Sequence, residues 1–171
     1  MLSCKIIIVG DGGVGKTSIC IRATQDSFKI DYKMTIGTGF FTYKTNVNGK
    51  PAALQIWDFG GQERFRSFLD RFAKGASAAI LAFDLNDLES FLKLEKTWMV
   101  FLKESAPDTP IMLIGTKCDL PHAVTQEMIE EFMAKPERKF ISYWHTSALS
   151  DTNINEFLDD LAKTVFKSNC K

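Results

Sequence analysis

A chain of 171 residues suits one domain, 1–171, with a proper hydrophobic core, and its 45% hydrophobic content is ordinary for a globular protein. Lysine plus arginine (21) balances aspartate plus glutamate (21), which gives no footing for a nucleic-acid binder or for attachment to an acidic membrane by charge. No apolar run is long enough to span a bilayer, and the first strand begins too close to Met1 to leave room for a signal peptide, so the expected location is cytoplasmic. Cys4, Cys20, Cys118 and Cys170 form no Cys-x-x-Cys pair and read as reduced, mostly buried thiols. His122 and His145 lie far apart, which argues against a histidine metal site.

Short apolar runs alternate with longer helical patterns. The first predicted strand, Cys4–Val9, leads into Gly10-Asp11-Gly12-Gly13-Val14-Gly15-Lys16-Thr17-Ser18 and a helix over Lys16–Gln25. This is the strand, glycine-rich turn, Lys-Thr, helix order of a P-loop. Glycines let the backbone turn tightly and approach a phosphate, and successive N–H groups at the helix start make an anion site. Lys16 is expected to reach the β- and γ-phosphates and the Thr17 hydroxyl to ligate Mg²⁺. Alone, the motif specifies a nucleoside triphosphate without naming the base.

The loop 26–37 is long and mostly polar, as functional or mobile loops are; Thr35 within it is an ordinary surface threonine taken alone, but beside a P-loop it is a candidate to close over Mg²⁺ when a γ-phosphate is present. Strands Gly39–Val47 and Ala52–Asp58 flank Asn48-Gly49, a strong hairpin signal that makes them antiparallel. Asp58 ends its strand facing the P-loop, which suits a carboxylate that holds Mg²⁺ through water. In the following Phe59-Gly60-Gly61-Gln62, the Gly61 N–H is a candidate for the γ-phosphate and Gln62 for orienting an attacking water.

A helix over Arg66–Lys74 and a strand over Ala78–Asp84 come next. The helix Leu88–Ser105 carries a buried stripe of Phe91, Leu94, Trp98, Phe101 and Leu102. Strand Pro110–Thr116, helix Gln126–Ala134, strand Lys139–His145 and helix Asn153–Lys167 complete the chain. The expected fold is α/β: a doubly wound six-stranded mixed sheet with one antiparallel strand, helices on both faces, and the ligand beyond the C-terminal strand ends.

Two later strand ends bear on the base. In Thr116-Lys117-Cys118-Asp119, an Asp carboxylate can accept from guanine N1–H and the 2-amino group, whereas adenine offers it an acceptor. The Lys117 stem can cover the base and Phe28 can lie against its edge. Thr146-Ser147-Ala148-Leu149 can present a backbone N–H to guanine O6.

The phosphate loop, Thr35, Asp58-x-x-Gly61-Gln62, Thr116-Lys117-Cys118-Asp119 and Ser147-Ala148 follow the order of the five G motifs. On these residues the whole chain resembles the Ras superfamily of small GTPases, with the P-loop NTPase fold. It is most similar to the Rab family, on Leu54-Gln55-Ile56-Trp57-Asp58, Gly61-Gln62-Glu63-Arg64-Phe65-Arg66-Ser67, Gly75-Ala76 and Asp84…Glu89-Ser90-Phe91. The resemblance implies a monomeric switch that binds GTP or GDP with Mg²⁺ and hydrolyses GTP slowly. Gly12, Gly13, Val14, Gly15, Lys16, Thr17 and Ser18 would bind phosphates. Thr17, Thr35 and Asp58 would serve Mg²⁺, and Gln62, Lys16 and Gly61 would serve hydrolysis. Phe28, Thr116, Lys117, Asp119, Ser147, Ala148 and Leu149 would form the base pocket. It also implies an activating protein, an exchange factor and effectors that meet the switch loops and an aromatic triad of Phe40, Trp57 and Phe72.

The chain departs from that pattern in places. Phe59-Gly60 stands where Thr-Ala is usual, so Phe59 is expected to pack against the core and alter the second switch. Thr116 replaces an Asn and Leu149 a Lys, both as in Rho-type members. The end Ser168-Asn169-Cys170-Lys171 is neither a C-a-a-X box nor a paired-Cys tail, so membrane attachment is expected only through a lipidated tail the sequence lacks. The competing reading is a GTP-binding interaction module with negligible hydrolysis.

Overall fold

Ile6, Ile7, Ile8 and Val9 are all fully buried, which requires protein on both faces of their strand. They lie in β1 (Leu2–Gly10), the third strand in a single sheet of order β2-β3-β1-β4-β5-β6. The computed structural model describes residues 1–25, 35–61 and 66–168.

β2 (Thr38–Val47) and β3 (Lys50–Phe59) pair antiparallel through Asn48-Gly49, whose φ angles of 51° and 78° suit a two-residue hairpin turn. β4 (Ala78–Asp84), β5 (Ile111–Thr116) and β6 (Phe140–His145) join β1 and β3 in parallel. The expected six-stranded mixed sheet with one antiparallel strand is therefore observed.

α1 (Lys16–Gln25) and α6 (Ile154–Ser168) cover one face, where Ile19, Phe157 and Leu161 pack on Ile6, Ile8, Leu54 and Ile80. On the other face lie α2 (Arg66–Ala73), α3 (Leu88–Lys93), α4 (Met99–Ser105) and α5 (Gln126–Met133). There Leu69, Phe91, Phe101 and Ile129 pack on Ile7, Val9, Leu81 and Phe83. Among the described residues no helix is long and apolar enough to cross a membrane.

Two local features differ from the sequence expectation. The stretch 88–105 is continuous but not uniformly α-helical: a π turn, Leu94–Trp98, joins α3 to α4. All five stripe residues are buried even so, and the Trp98 indole is fully enclosed with its Nε1 lacking a hydrogen-bond partner. Phe59, expected just beyond a strand, is the last residue of β3. It pairs with Thr38 of β2 and is fully buried, its ring edge-on to Phe101 at 6.4 Å.

Candidate functional site

Gly10 ends β1 and Lys16 begins α1, so five residues turn the chain from strand to helix at the C-terminal edge of the sheet. Gly15, with φ of +100°, makes the last step into the helix in a conformation that side chains rarely allow. The Lys16 side chain folds back into this turn, and its Nζ donates to Gly10 O at 2.8 Å and Asp11 O at 2.9 Å. Burial pushes the Lys16 ammonium down to about 8, against the opposing pull of the Asp58 and Asp11 carboxylates. Val14 is buried, whereas Gly12, Gly13, Gly15, Thr17 and Ser18 keep partial or full exposure around the turn.

Three side-chain oxygens from distant segments meet beside it. Thr17 comes from the first turn of α1, Asp58 from the end of β3, and Thr35 from just before β2. Thr17 Oγ1 lies 2.5 Å from Thr35 Oγ1 and donates to Asp58 Oδ2. Asp58 is fully buried, and its Oδ1 has no hydrogen-bond partner. Burial raises the Asp58 pKa, while the Thr17 bond and the Lys16 charge pull it back. An all-oxygen set with an unpartnered buried carboxylate oxygen is the donor chemistry that Mg²⁺ takes.

The glycines after Phe59 touch both neighbouring loops. Gly60 N–H donates to Gly37 O at 2.9 Å. Gly61 lies so close to the P-loop backbone that a Cβ there would fall on Gly12 N and Asp11 C, with Gly10 O at 2.7 Å. Gln62 and Phe28 lie outside the described residues.

The stretches 116–119 and 146–149 converge on the same edge. Lys117 adopts φ of +56°, and its Nζ donates to Gly13 O at 2.9 Å and pairs with Asp84 Oδ2 at 2.6 Å. Its stem therefore runs past the phosphate loop. The buried Thr116 hydroxyl lies 2.5 Å from Val14 O and 3.0 Å from Phe83 O, so its one proton ties β5 to the P-loop or to β4. Ser147 Oγ donates to Asp119 Oδ1 at 2.5 Å and accepts from Ser150 N at 3.1 Å. Arg22 of α1 donates to Ala148 O at 2.8 Å and Leu149 O at 3.2 Å, and the Leu149 side chain is exposed.

Sequence reasoning gave no site role to Asp84 or Lys93. Asp84 could have been found as a second acid at a C-terminal strand end. Lys93 Nζ bonds Asp11 Oδ2 at 2.9 Å across 82 positions, a pairing without a local signal.

On the outer face, Phe40 meets Trp57 edge-on at 4.6 Å, and Trp57 meets Phe72 at 5.7 Å. Lys5 Nζ sits 4.1 Å from the Trp57 ring centre. Phe40 is 62% exposed and Phe72 40%, so these rings do more than fill the core.

A glycine turn that folds its own lysine inward, beside clustered hydroxyl and carboxylate oxygens, defines a P-loop nucleotide-binding protein. The Ras family model matches residues 5–167. The chain is 37% identical over 164 residues to Ras-related protein RABA1a of Arabidopsis thaliana, covering 95% of this chain and 75% of that protein. It is 37% identical over 162 residues to Ras-related protein Rab-13 of Canis lupus familiaris, covering 94% and 79%. It is 38% identical over 168 residues to Ras-related protein Rab-34 of Rattus norvegicus, covering 96% and 64%. The chain belongs to the Ras family and is a Rab-like small GTPase, a GTP hydrolase and molecular switch by class.

Proposed function

We propose that residues 1–171 form one G domain that binds GTP and GDP with Mg²⁺, hydrolyses GTP slowly, and signals its nucleotide state to partner proteins. The observation that carries this is the meeting of Thr17, Thr35 and Asp58 oxygens beside the buried Lys16. Thr17, Thr35 and Asp58 would hold Mg²⁺, which would supply neutralisation of phosphate charge when bound.

In this reading the P-loop N–H groups of 12–18 and the Lys16 ammonium face the phosphates. Lys16 needs no rearrangement of its stem, because two backbone carbonyls already hold its head in the loop. The Gly61 N–H faces the terminal phosphate, and Gln62 orients the attacking water. Asp119 takes the guanine N1–H and 2-amino group, with its carboxylate held by the Ser147 hydroxyl. Lys117, Phe28 and the backbone of Ala148 and Leu149 complete the pocket. When its proton goes to Val14 O, the Thr116 hydroxyl would stand in for the usual Asn as the link between β5 and the P-loop.

A fast reaction needs a further positive charge at the transferred phosphate, and in this family an activating protein commonly supplies it, with roughly 10³–10⁵-fold effect. Phe40 and Phe72, exposed on either side of the partly buried Trp57, present the aromatic surface on which such proteins or effectors would dock. The domain acts as a monomer, and peripheral membrane attachment would require a lipidated tail.

The test is single-turnover hydrolysis of GTP and of ATP with Mg²⁺, alongside Gln62→Leu. Slow, GTP-selective turnover that the variant loses is expected. GTP binding with no turnover in either protein would favour the interaction module, and preferential ATP turnover would overturn the base-pocket assignment.

A further inference from the structure

The loop proposed to bind phosphate carries a negative charge of its own. Asp11 lies between Gly10 and Gly12, and its backbone carbonyl is one of the two that hold the Lys16 ammonium. A bare carboxylate there would repel a triphosphate. Its Oδ2 is instead paired at 2.9 Å with Lys93 Nζ, which descends from α3. Lys93 is fixed from its own helix as well, since Glu89, one turn earlier, lies 3.2 Å from the same ammonium.

The same corner supports the second switch. Gly61 rests against the Asp11 and Gly12 backbone so closely that no side chain would fit between them. Whatever sets the position of Asp11 therefore sets the floor beneath Gly61.

From these contacts we infer that Lys93 is a positioning residue for the phosphate site. It cancels the Asp11 carboxylate and pins the P-loop corner to α3, and so favours the triphosphate over the diphosphate. This rests on the nucleotide reading above. The Lys93 side chain is 41% exposed, so its effect is that of a partly screened charge rather than of a buried pair.

The test compares GTP and GDP affinities for the whole chain with Mg²⁺. Lys93→Met keeps the stem and removes the charge. It is expected to weaken GTP binding about three- to tenfold and GDP binding less than about twofold, on the scale of one screened charge. Lys93→Arg should restore the GTP preference. In an Asp11→Asn background the Met substitution should add less than about twofold, because the charge it answers is gone. The GTP effect should also shrink at about 0.5 M salt. A merely structural lysine would weaken both nucleotides equally and would do so whether or not Asp11 is charged. That result would overturn the inference, as would unchanged GTP preference in Lys93→Met. Wild-type protein that binds no guanine nucleotide would overturn the functional reading as well, so the two failures are distinguishable.

Discussion

Phe59→Ala isolates the feature that most separates this chain from the usual small-GTPase pattern. The ring is fully buried at the end of β3, in the cluster that contains Leu69, Trp98 and Phe101. It meets Phe101 edge-on, and Phe101 in turn meets Trp98 at 6.0 Å. Truncating a buried Phe to Ala costs about 3–5 kcal/mol from lost transfer energy and the cavity left behind. That is a large share of the roughly 5–15 kcal/mol by which domains are stable. For a domain of this size each kcal/mol lowers the melting midpoint by about 2–4 °C, so a fall of about 6–20 °C is expected. The assay is thermal unfolding of both proteins at the same saturating GDP and Mg²⁺, because bound ligand raises the midpoint by mass action. Repeating it in Phe101→Ala should show non-additivity, since the two substitutions remove the same edge-to-face contact. A fall below about 3 °C, or strict additivity with Phe101→Ala, would refute the claim that Phe59 is a core residue coupled to α4.

Gly60→Ala should cut single-turnover GTP hydrolysis by about tenfold or more, because its Cβ would sit 2.6 Å from Thr35 O and push the two switch loops apart; hydrolysis within about twofold of wild type would show that the loops need not touch. Asp119→Ala should lower GTP affinity by about 10²-fold or more and leave ATP affinity nearly unchanged, as competition binding would measure; equal losses for both nucleotides would place Asp119 outside base recognition. Burial pushes the Cys4 thiol up to about 11. At pH 8 its alkylation in the native protein should be about 10²-fold slower than that of a free thiol and should rise about tenfold per pH unit, because only the thiolate reacts. Peptide mapping by mass spectrometry reads this directly, and a free-thiol rate at Cys4 would contradict its burial.

The parts of the fold legible in the sequence are those governed by short-range rules. Ile6 to Val9 reads as a strand buried on both faces, and Asn48-Gly49 reads as a hairpin because both residues tolerate positive φ. The placement of Thr17, Asp58, Thr116, Lys117 and Asp119 at one sheet edge follows from each standing at or just past a strand end or a helix start. The π turn at 94–98 was not legible. Its stripe of Phe91, Leu94, Trp98 and Phe101 fits α-helical spacing, and nothing in that spacing marks the wider turn that ends at the buried Trp98. Phe59 reads as a loop residue from its motif, yet pairing with Thr38 and an apolar cluster beneath it extend the strand. The Asp11–Lys93 pair and the Asp84–Lys117 pair depend on side chains brought together by the sheet order, to which no local pattern gives access.

These placements assign distinct supports to the two flanks of 62–65. On the N-terminal side, Asp58 is bound by Thr17, Phe59 is locked among Leu69 and Phe101, Gly60 is bonded to Gly37, and Gly61 rests on Gly12. On the C-terminal side, the Arg66 guanidinium lies 5.7 Å from the Trp98 ring centre, and Trp98 belongs to the π turn. The rings of Phe59, Phe101 and Trp98 therefore connect both flanks to one stretch of helix. A Thr at position 59 would be too short to reach Phe101, so the larger ring adds an apolar tie from the end of β3 to α4 beside the Gly60–Gly37 hydrogen bond. Substitutions at Trp98 or Phe101 would therefore reach Arg66 and Phe59 without touching Thr17, Thr35 or Asp58.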